Sequence, residues 1–434
     1  MKWTVSLVGA ASLFFILSYV LVPQLTEFEY SSVRNDEKVE AKEITSTTQA
    51  EKIPVDTREV ITHVPLPTPL RAIYMTSCVA GTTDFRNDLV ALVEETEINA
   101  IVIDIKDYSG TISFPAQSPE WSSAWAEARC GTKDMQAFIK TLHDKGIFVI
   151  GRITVFQDPF YTKIRPDLAV HKASDGSVWH DRKGLSFMDV GSKDYWDHII
   201  VLATDAYDIG FDELNFDYVR YPSDGNMEDI SFPNSMKSEY GKDKPANLEA
   251  FFKYLNEKLD DDSRFTKVLH ENTGRASSTP WTSVDLFGMT TTNTDDLSIG
   301  QVQERAAPYF DFVAPMVYPS HYPSGFIGLG NPNDYPYKIV HYAMSEGEKR
   351  MRATTTSVAG FAHERIGTST PALYTKPSFT GDRLRTWIQD FDYGGDYDAA
   401  DVRAQIQASY DAGVHSFMIW APSNRYTKGA LLLP

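Results

Sequence analysis

The chain has 434 residues, of which 42% are hydrophobic and 12% aromatic, and its formal net charge is −18. This length allows a large core in one or two domains. The negative charge, with no basic stripe to offset it, excludes nucleic acid as a partner and suits neutral or cationic polymers better than polyanions.

The N-terminus carries a long apolar segment. Lys2 precedes a charge-free apolar run from Val5 to Val22, which Pro23 ends. A helix of about 18–20 such residues can cross a bilayer, and no Ala-x-Ala cleavage site follows. We therefore predict that residues 1–23 are a signal-anchor in the membrane, with the folded part on the extracytoplasmic side. Secretion after signal cleavage is the alternative.

Residues 24–66 are rich in Thr, Ser, Glu and Lys and show no apolar periodicity. Such a stretch cannot bury enough apolar surface to offset the entropy of ordering it. The sequence therefore predicts a disordered linker over 24–66 and one folded domain, expected to be monomeric, over 67–434. The order of anchor, linker and domain is typical of an envelope protein.

From Arg71 onward, short apolar runs alternate with helical patterns. Near-continuous apolar strands separated by helices indicate a parallel sheet covered on both faces, and eight units predict a (β/α)₈ TIM barrel of the α/β class. The eight runs are AIYMTS (72–77), AIVIDI (100–105), IFVIGRI (147–153), FDELNFDYV (211–219), VDLFGM (284–289), DFVAPMVY (311–318), LRTWIQDF (384–391) and HSFMIWAP (415–422).

Loop lengths point to one functional face. Several helices end in glycine and turn directly into the next strand, as in HDKGIFVI, YDIGFDEL and YDAGVHSF. The long connections follow strands, at 106–133, 154–192, 220–245 and 319–335. In a TIM barrel the loops after the strands build the active site, so we expect it there.

The motif GFDELNFDYVRYPSDG, residues 210–225, is the strongest candidate for chemistry. The two-residue period of a strand places Glu213, Asn215 and Asp217 on one side, with Asp217 at the mouth and Arg220 just beyond. Buried carboxylates need partners or a function. The alternative is that Asp217 and Arg220 merely cap a loop.

Other strands bring further polar and aromatic residues to the same face. The second strand carries Asp104 and Lys106 on one side, the third ends with Arg152, and the fifth contains Asp285. Asp104 and Lys106 could instead form a buried ion pair between strands, and the tryptophans could belong to the core. The remaining candidates for substrate binding are Asp107, Tyr318, His321, Trp387, Gln389, Asp390, Trp420 and Asn424.

The sequence contains two cysteines and lacks the common motifs for binding metals and cofactors. No CxxC, HExxH, GxGxxG or GxSxG pattern occurs, so no metal or cofactor is expected. Cys78 follows the first strand and Cys130 lies in the long loop after the second. In an oxidising compartment they could form a disulfide, and two buried free thiols are the alternative.

Several of these segments together resemble the putative glycosyl hydrolase domain family of bacterial envelope proteins, over about Arg71 to Tyr426. The resemblance implies a TIM barrel related to glycosidases. It further implies that Asp217 occupies the place at the end of the fourth strand where relatives carry a nucleophile or acid. Asp285 occupies the fifth-strand place, although it is Asp where Glu is more usual. The matching segments are INAIVIDIKDYSG, GRITVFQDP, VWHDRKGLSFMDV, GFDELNFDYVRYPSDG, VDLFG, FVAPMVYPSHY, WIQDF and AQIQAS.

We therefore expect a cofactor-free glycoside hydrolase that acts on a cell-envelope or extracellular polysaccharide. Glycoside hydrolysis needs two carboxyl groups that flank the scissile bond. Asp217 is the expected nucleophile or base, and Asp285, or failing it Asp104, the general acid. Side chains such as Arg152 are expected to form hydrogen bonds with hydroxyl groups of the sugar. The alternatives are a non-catalytic polysaccharide-binding barrel and, on the same scaffold, a lyase or transglycosylase.

Overall fold

The computed structural model describes residues 63–261, 268–269, 276–277 and 280–434. Eight parallel strands form a closed barrel, in which each strand pairs with its neighbours in chain order and the last pairs with the first. All eight predicted strands and the predicted TIM-barrel fold are confirmed. The strands are β1 (Arg71–Met75), β2 (Ala100–Lys106), β3 (Phe148–Thr154), β4 (Glu213–Asp217), β5 (Trp281–Phe287), β6 (Phe312–Met316), β7 (Arg385–Gln389) and β8 (Ser416–Trp420).

Helices lie between successive strands and cover the outside of the barrel. In chain order these are α1 (Thr83–Glu94), α2 (Met135–Asp144), α3 (Lys193–Asp208), α4 (Lys244–Asp261), α5 (Gln303–Ala306), α6 (Pro336–Arg352) and α7 (Ala399–Asp411). Shorter helices occupy the loops, at Ser77–Ala80, Ser122–Ala126, Tyr161–Ile164 and Pro233–Lys237. Short antiparallel strands lie outside the barrel at Val268–Leu269, Ala276–Ser277, Thr355–Thr356, Arg365–Ile366 and Leu373–Thr375.

The two-residue period of the strands divides the core into an outer and an inner part. On β2, Ile101, Ile103 and Ile105 pack outward in the large cluster between strands and helices. Ala100 and Val102 of the same strand face the barrel interior, with the side chains of a second cluster. Both faces of each strand are therefore buried, which explains why the strands read as continuous apolar runs.

The prediction that the long connections all follow strands is confirmed for four strands and is wrong for two helix-to-strand connections, which carry short antiparallel strands outside the barrel. Gly146 and Gly413 follow α2 and α7 with φ values of 71° and 82°, a conformation that favours glycine, and the next strand begins within three residues. The long loops after β2, β3, β4 and β6 follow the carboxyl ends of strands, whereas the connections 262–280 and 353–384 are long ones that precede β5 and β7. The end of the barrel at which the strands have their carboxyl ends is the end where barrel enzymes build their active sites.

The chain enters the barrel at the opposite end, beneath the strands. The carboxylate of Asp212, just before β4, accepts hydrogen bonds from the backbone N–H of Val64 at 3.0 Å and of Val149 at 2.9 Å. The rings of His63 and His143 contact the same carboxylate at 3.1 and 2.9 Å. The last residues of the predicted linker, 63–66, are thus held against the bottom of the barrel.

The predicted membrane anchor, residues 1–23, and most of the predicted linker lie outside the described residues. Within the described ranges, no helix combines the length and apolar character needed to span a bilayer. The anchor, the linker and the extracytoplasmic location therefore stay predictions.

A disulfide joins Cys78, after β1, to Cys130 in the loop after β2, across a sequence separation of 52 residues. On the chain-entropy account, closing a loop of this size stabilises the folded state by about 4 kcal/mol. We expect the double variant Cys78→Ser/Cys130→Ser to lose about this much free energy of unfolding in a denaturant titration. Reduction should destabilise the wild type equally and leave the variant unchanged. Two titratable thiols in the unreduced, denatured protein would contradict the assignment.

Candidate active site

A cavity of about 460 Å³ opens at the carboxyl ends of the strands. Its lining comes from β3, β4, β5, β6, β7 and β8 and from the loops that follow the strands. The structure therefore brings together residues that are up to 270 positions apart, from Arg152 to Pro422. The predicted site residues in the lining are Arg152, Asp217, Arg220, Asp285, Tyr318, His321, Trp387 and Trp420.

Arg152 lies at the centre of the carboxylates. Its Nη1 donates to Oδ1 of Asp104 at 2.7 Å, and its Nε donates to Oδ2 of Asp217 at 3.1 Å, while Nη2 also contacts Asp217. Oδ2 of Asp285 lies 3.9 Å from the same Nε. All four side chains are buried. One guanidinium thus holds the three predicted catalytic carboxyl groups within a single network, and its nitrogens are taken up by them.

Asp285 is the carboxyl group most strongly shifted toward the neutral acid. Burial, reinforced by the negative charge of Asp217, holds its pKa well above the usual range. Its Oδ1 accepts hydrogen bonds from Asn215 Nδ2 at 2.9 Å and Trp387 Nε1 at 2.8 Å. These donors fix Oδ1, so Oδ2 is the oxygen that can carry a proton toward the cavity.

Asp217 has the opposite environment, because N–H donors surround it. Besides Arg152, the backbone N–H of Tyr218 donates to its Oδ1 at 2.5 Å. Tyr218 adopts a positive φ of 52°, which is uncommon for a residue with a side chain. This sharp turn directly after β4 points a backbone N–H back at the carboxylate, and it marks the end of the strand as a specialised position.

Asp104 lies behind Arg152 and is absent from the cavity lining. Its Oδ2 accepts a hydrogen bond of 2.5 Å from the Tyr74 hydroxyl. Burial raises the pKa of Asp104 to about 6, although Arg152 opposes the shift. Asp104 therefore holds Arg152 in place and does not face the space where a substrate would bind.

The alternative pairings considered for these carboxylates are wrong. Lys106 pairs with Asp158 at 3.1 Å and donates to the backbone oxygen of Thr154 at 2.6 Å. Arg220 donates to backbone and hydroxyl oxygens and forms no ion pair with Asp217. Neither Asp104–Lys106 nor Asp217–Arg220 is a pair in this structure.

Aromatic rings form much of the cavity wall. Trp420 is partly exposed there, stacks on Tyr74 with ring centroids 3.9 Å apart, and meets Trp387 edge-to-face. Tyr318 is buried, and its ring meets that of His321 edge-to-face with ring centroids 5.2 Å apart. Trp420 is thus placed to receive a sugar ring, whereas Trp387 is a core residue whose indole N–H serves Asp285.

Glu213 and Asn215 point into the barrel below the cavity. Glu213 forms a fully buried ion pair with Arg385 at the beginning of β7, with both oxygens within 2.7 Å of Nη1. Asn215 links Asp285 to Ser283, whose hydroxyl lies 2.9 Å away. The structure gives neither residue access to the cavity, so Asn215 orients Asp285 and Glu213 belongs to the packing of the barrel.

Four more of the predicted binding residues brace the loops at the mouth and are absent from the lining. Gln389 accepts from the backbone N–H of Ser320, and Asp390 accepts from the backbone N–H and the hydroxyl of Thr427. The carboxylate of Asp107 accepts from the backbone N–H of Ser109, two residues on, and Asn424 accepts from the backbone N–H of Thr76. Each of these four side chains is therefore engaged in hydrogen bonds within the protein.

Some residues of the site were missed from the sequence. Tyr74 and Phe287 lie at the ends of β1 and β5, where strand ends should have been searched for aromatic residues as well as charges. Arg385 could have been suspected, since an arginine in an apolar strand requires a buried partner. In the residues the structure describes, no group of three or more His, Cys, Asp and Glu side chains is arranged to hold a metal ion.

Comparisons with known proteins agree with the barrel fold. Residues 72–426 match the family described as "Putative glycosyl hydrolase domain". A hypothetical protein from Ruminiclostridium thermocellum is 33% identical over 43% of this chain and 92% of its own, with a TM-score of 0.37. The PgaB (BpsB) glycoside hydrolase domain from Bordetella bronchiseptica is 12% identical over 84% of this chain and 99% of its own, with a TM-score of 0.52. No curated protein sequence matches the chain.

Proposed function

The chain belongs to the putative glycosyl hydrolase domain family, and from that premise we propose that it hydrolyses glycosidic bonds of a cell-envelope or extracellular polysaccharide. One observation carries the proposal. Asp217 and Asp285 both line the cavity and contact the same Nε atom of Arg152 in opposite electrostatic environments. A carboxyl group held as the neutral acid beside a second carboxyl group that N–H groups orient is the arrangement that a general acid and a nucleophile require.

In the proposed first step, Asp285 donates its proton to the glycosidic oxygen while Asp217 attacks the anomeric carbon. The C–O bond of the leaving group breaks, the alcohol departs with the proton, and the sugar is joined to Asp217 as an ester. In the second step, ionised Asp285 takes a proton from water, whose oxygen attacks the anomeric carbon and releases Asp217. Arg152 orients Asp217, and Asp104 with Tyr74 orients Arg152.

The carboxyl groups of Asp217 and Asp285 lie close together, and we therefore expect retention of the anomeric configuration. Oδ2 of Asp217 and Oδ2 of Asp285 lie 3.1 and 3.9 Å from one nitrogen, so they are less than about 7 Å apart. Retaining enzymes hold their carboxyl groups about 5–5.5 Å apart, and inverting enzymes about 6.5–9.5 Å. Proton NMR of the first product, recorded before mutarotation, should show the anomer of the substrate. The other anomer would assign Asp217 as a base for water.

The proposal also predicts how activity depends on pH. Only protonated Asp285 can act as acid, so kcat/KM should be lost as pH rises through the pKa of this group. Burial and Asp217 raise that pKa, so the alkaline limb should lie well above the ordinary carboxyl value of about 3.9. A dinitrophenyl glycoside needs no protonation of its leaving group, so the Asp285→Asn variant should still hydrolyse it. The kcat/KM of this variant should no longer fall on the alkaline side of the pH profile. An unchanged limb in the variant would contradict the role of Asp285.

The first test is a screen for release of reducing ends by the full chain from isolated envelope polysaccharides. We expect release from at least one polysaccharide. The other candidate is a non-catalytic polysaccharide-binding barrel, favoured by the ion pairs that already engage Asp217 and Asp104. Sedimentation of the protein with one polysaccharide, without release from any, would replace the first proposal by the second. An unsaturated product would instead indicate a lyase, and longer chains a transglycosylase.

The proposed location at the cell envelope depends on the predicted anchor. N-terminal sequencing of the protein from its own cells is the direct measurement. A mature chain that begins after residue 22 would exclude the anchor and favour secretion.

A further inference from the structure

Arg220 is a buried cation in the cavity wall. Its charge acts on Asp181 through space, but in the described part of the chain no carboxylate contacts its guanidinium. Its residue surface is only 9% exposed. Nη1 donates to the backbone oxygen of Tyr221 and to the hydroxyl of Ser223, both at 3.1 Å. Among the residues that the structure describes, no group accepts from Nε or Nη2, and no carboxylate forms an ion pair with the guanidinium. One edge of its planar fork is therefore unused.

Aromatic rings hold this guanidinium in position. Its central carbon lies 5.0 Å from the ring centre of Tyr218, 5.2 Å from that of Phe287 and 6.0 Å from that of Phe187. Rings at these distances attract the cation, and they also exclude water. The arginine is thus fixed before any ligand arrives, so little side-chain entropy remains to be lost on binding.

Arg152 shows what a structural arginine looks like in the same cavity. Its three nitrogens all contact Asp104, Asp217 or Asp285, so its charge is balanced within the protein. A buried charge without such compensation is costly, and it is tolerated where a ligand supplies the missing charge. Arg152 therefore positions the catalytic carboxyl groups, whereas Arg220 has hydrogen-bond donors that a ligand could use.

We propose that Arg220 forms a subsite for an acidic sugar, whose carboxylate or sulfate oxygens accept from Nε and Nη2. A guanidinium edge matches two oxygens of such a group with two parallel hydrogen bonds. The proposal names the substrate class and rests on the proposed glycosidase function. It does not require that Arg220 take part in bond cleavage, because Arg220 contacts neither Asp217 nor Asp285.

The charges around Arg220 indicate how many acidic groups the substrate should carry. Lys183 also lines this part of the cavity, together with Asp181 and Asp224. Oδ1 of Asp181 is engaged by the backbone N–H groups of Lys183 and Leu185, at 2.8 Å each. Together with Arg220, Lys183 and the two aspartates sum to zero formal charge, although neither carboxylate forms an ion pair with Arg220, and the whole chain carries −18. We therefore expect recognition of single acidic residues in an otherwise neutral glycan, and not of a densely charged polyanion.

The test measures binding to the full chain by calorimetry, with glucuronic acid, galacturonic acid, glucose 6-sulfate and glucose as probes. We expect at least one acidic probe to bind more tightly than glucose. Arg220→Gln should weaken that binding by about tenfold to a hundredfold, the usual effect of losing hydrogen bonds to a charged group. Arg220→Lys should lose less, since it keeps the charge without the fork. Arg182→Gln, an exposed arginine in the loop after β3, is the matched control.

The outcomes separate this proposal from the glycosidase proposal. Selective binding of an acidic probe that depends on Arg220 supports the subsite even if no polysaccharide is cleaved. A preference for glucose 6-sulfate over both uronic acids identifies the anion as a sulfate ester. Absence of binding by all three acids, binding no tighter than that of glucose, or unchanged binding in an Arg220→Gln variant with the wild-type unfolding temperature overturns the subsite. Cleavage of neutral glycans would still support the glycosidase.

Discussion

Replacing Asp217 by asparagine is expected to lower kcat/KM for glycoside hydrolysis by about 10⁴-fold or more. The substitution keeps the size of the side chain and an acceptor for the backbone N–H of Tyr218, but it removes the oxygen nucleophile and its charge. The measurement is the initial rate on the best substrate from the polysaccharide screen. Added azide should restore turnover of an activated aryl glycoside, because azide attacks the anomeric carbon where the carboxylate no longer does, and the phenolate departs.

Asp224→Asn is the control for this experiment. Asp224 also lines the cavity, but it is partly exposed and has no contact with Arg152. We expect its rate to stay within about tenfold of the wild type, since a rim charge affects binding more than bond cleavage. An Asp217→Asn protein with comparable activity would exclude Asp217 as the nucleophile.

The second large effect concerns stability and the ion pair beneath the cavity. Replacing Glu213 by methionine should lower the free energy of unfolding by about 3–5 kcal/mol, because Arg385 then remains buried without its counter-charge. The two side chains are 0% and 1% exposed, so water cannot compensate. Denaturant titration followed by tryptophan fluorescence measures the change.

A double variant distinguishes the cost of an unpaired charge from simple loss of packing. Glu213→Met/Arg385→Met removes both charges, and apolar replacements of a buried pair are often neutral or stabilising. We therefore expect the double variant to be more stable than the Glu213→Met single variant. Glu228→Gln, at an exposed position, should change the free energy of unfolding by less than about 0.5 kcal/mol. A double variant less stable than both single variants would contradict this account.

The barrel was predictable because its signal is local. Runs such as AIVIDI are apolar on both faces, and a strand with both faces buried reads in this way wherever it lies in the chain. Glycine at the helix ends set the short connections, and the long loops after strands identified the face of the site. These features depend on neighbours in sequence, which an isolated sequence displays directly.

The pairing of charges was not predictable, because it depends on register between strands. Strict alternation placed Asp104 and Lys106 on one side of β2. A register irregularity between them against β3 breaks the alternation, so that Asp104 meets Arg152 while Lys106 meets Asp158. No local pattern in the sequence announces such a bulge.

The partners of Asp285 illustrate the same limit. Trp387 was interpreted as either core or sugar contact, and it is a core residue whose N–H bonds to a carboxyl group 102 positions earlier. Its role depends on the strand order of the barrel, in which β5 and β7 flank β6 and both side chains point into the interior. Sequence placed Asp217, Asp285 and Arg152 at one end of the fold, and only the three-dimensional arrangement shows the burial that raises the pKa of Asp285.

The contact of His63 and Val64 with Asp212 determines the orientation in which the barrel can be presented. These residues join the fold at the pole of the barrel axis that is farthest from the cavity. A resin, a fluorophore or a lipid surface coupled directly at residue 63 is therefore attached behind the barrel. The mouth faces outward from that support, so immobilised protein should meet long polymers with little steric hindrance.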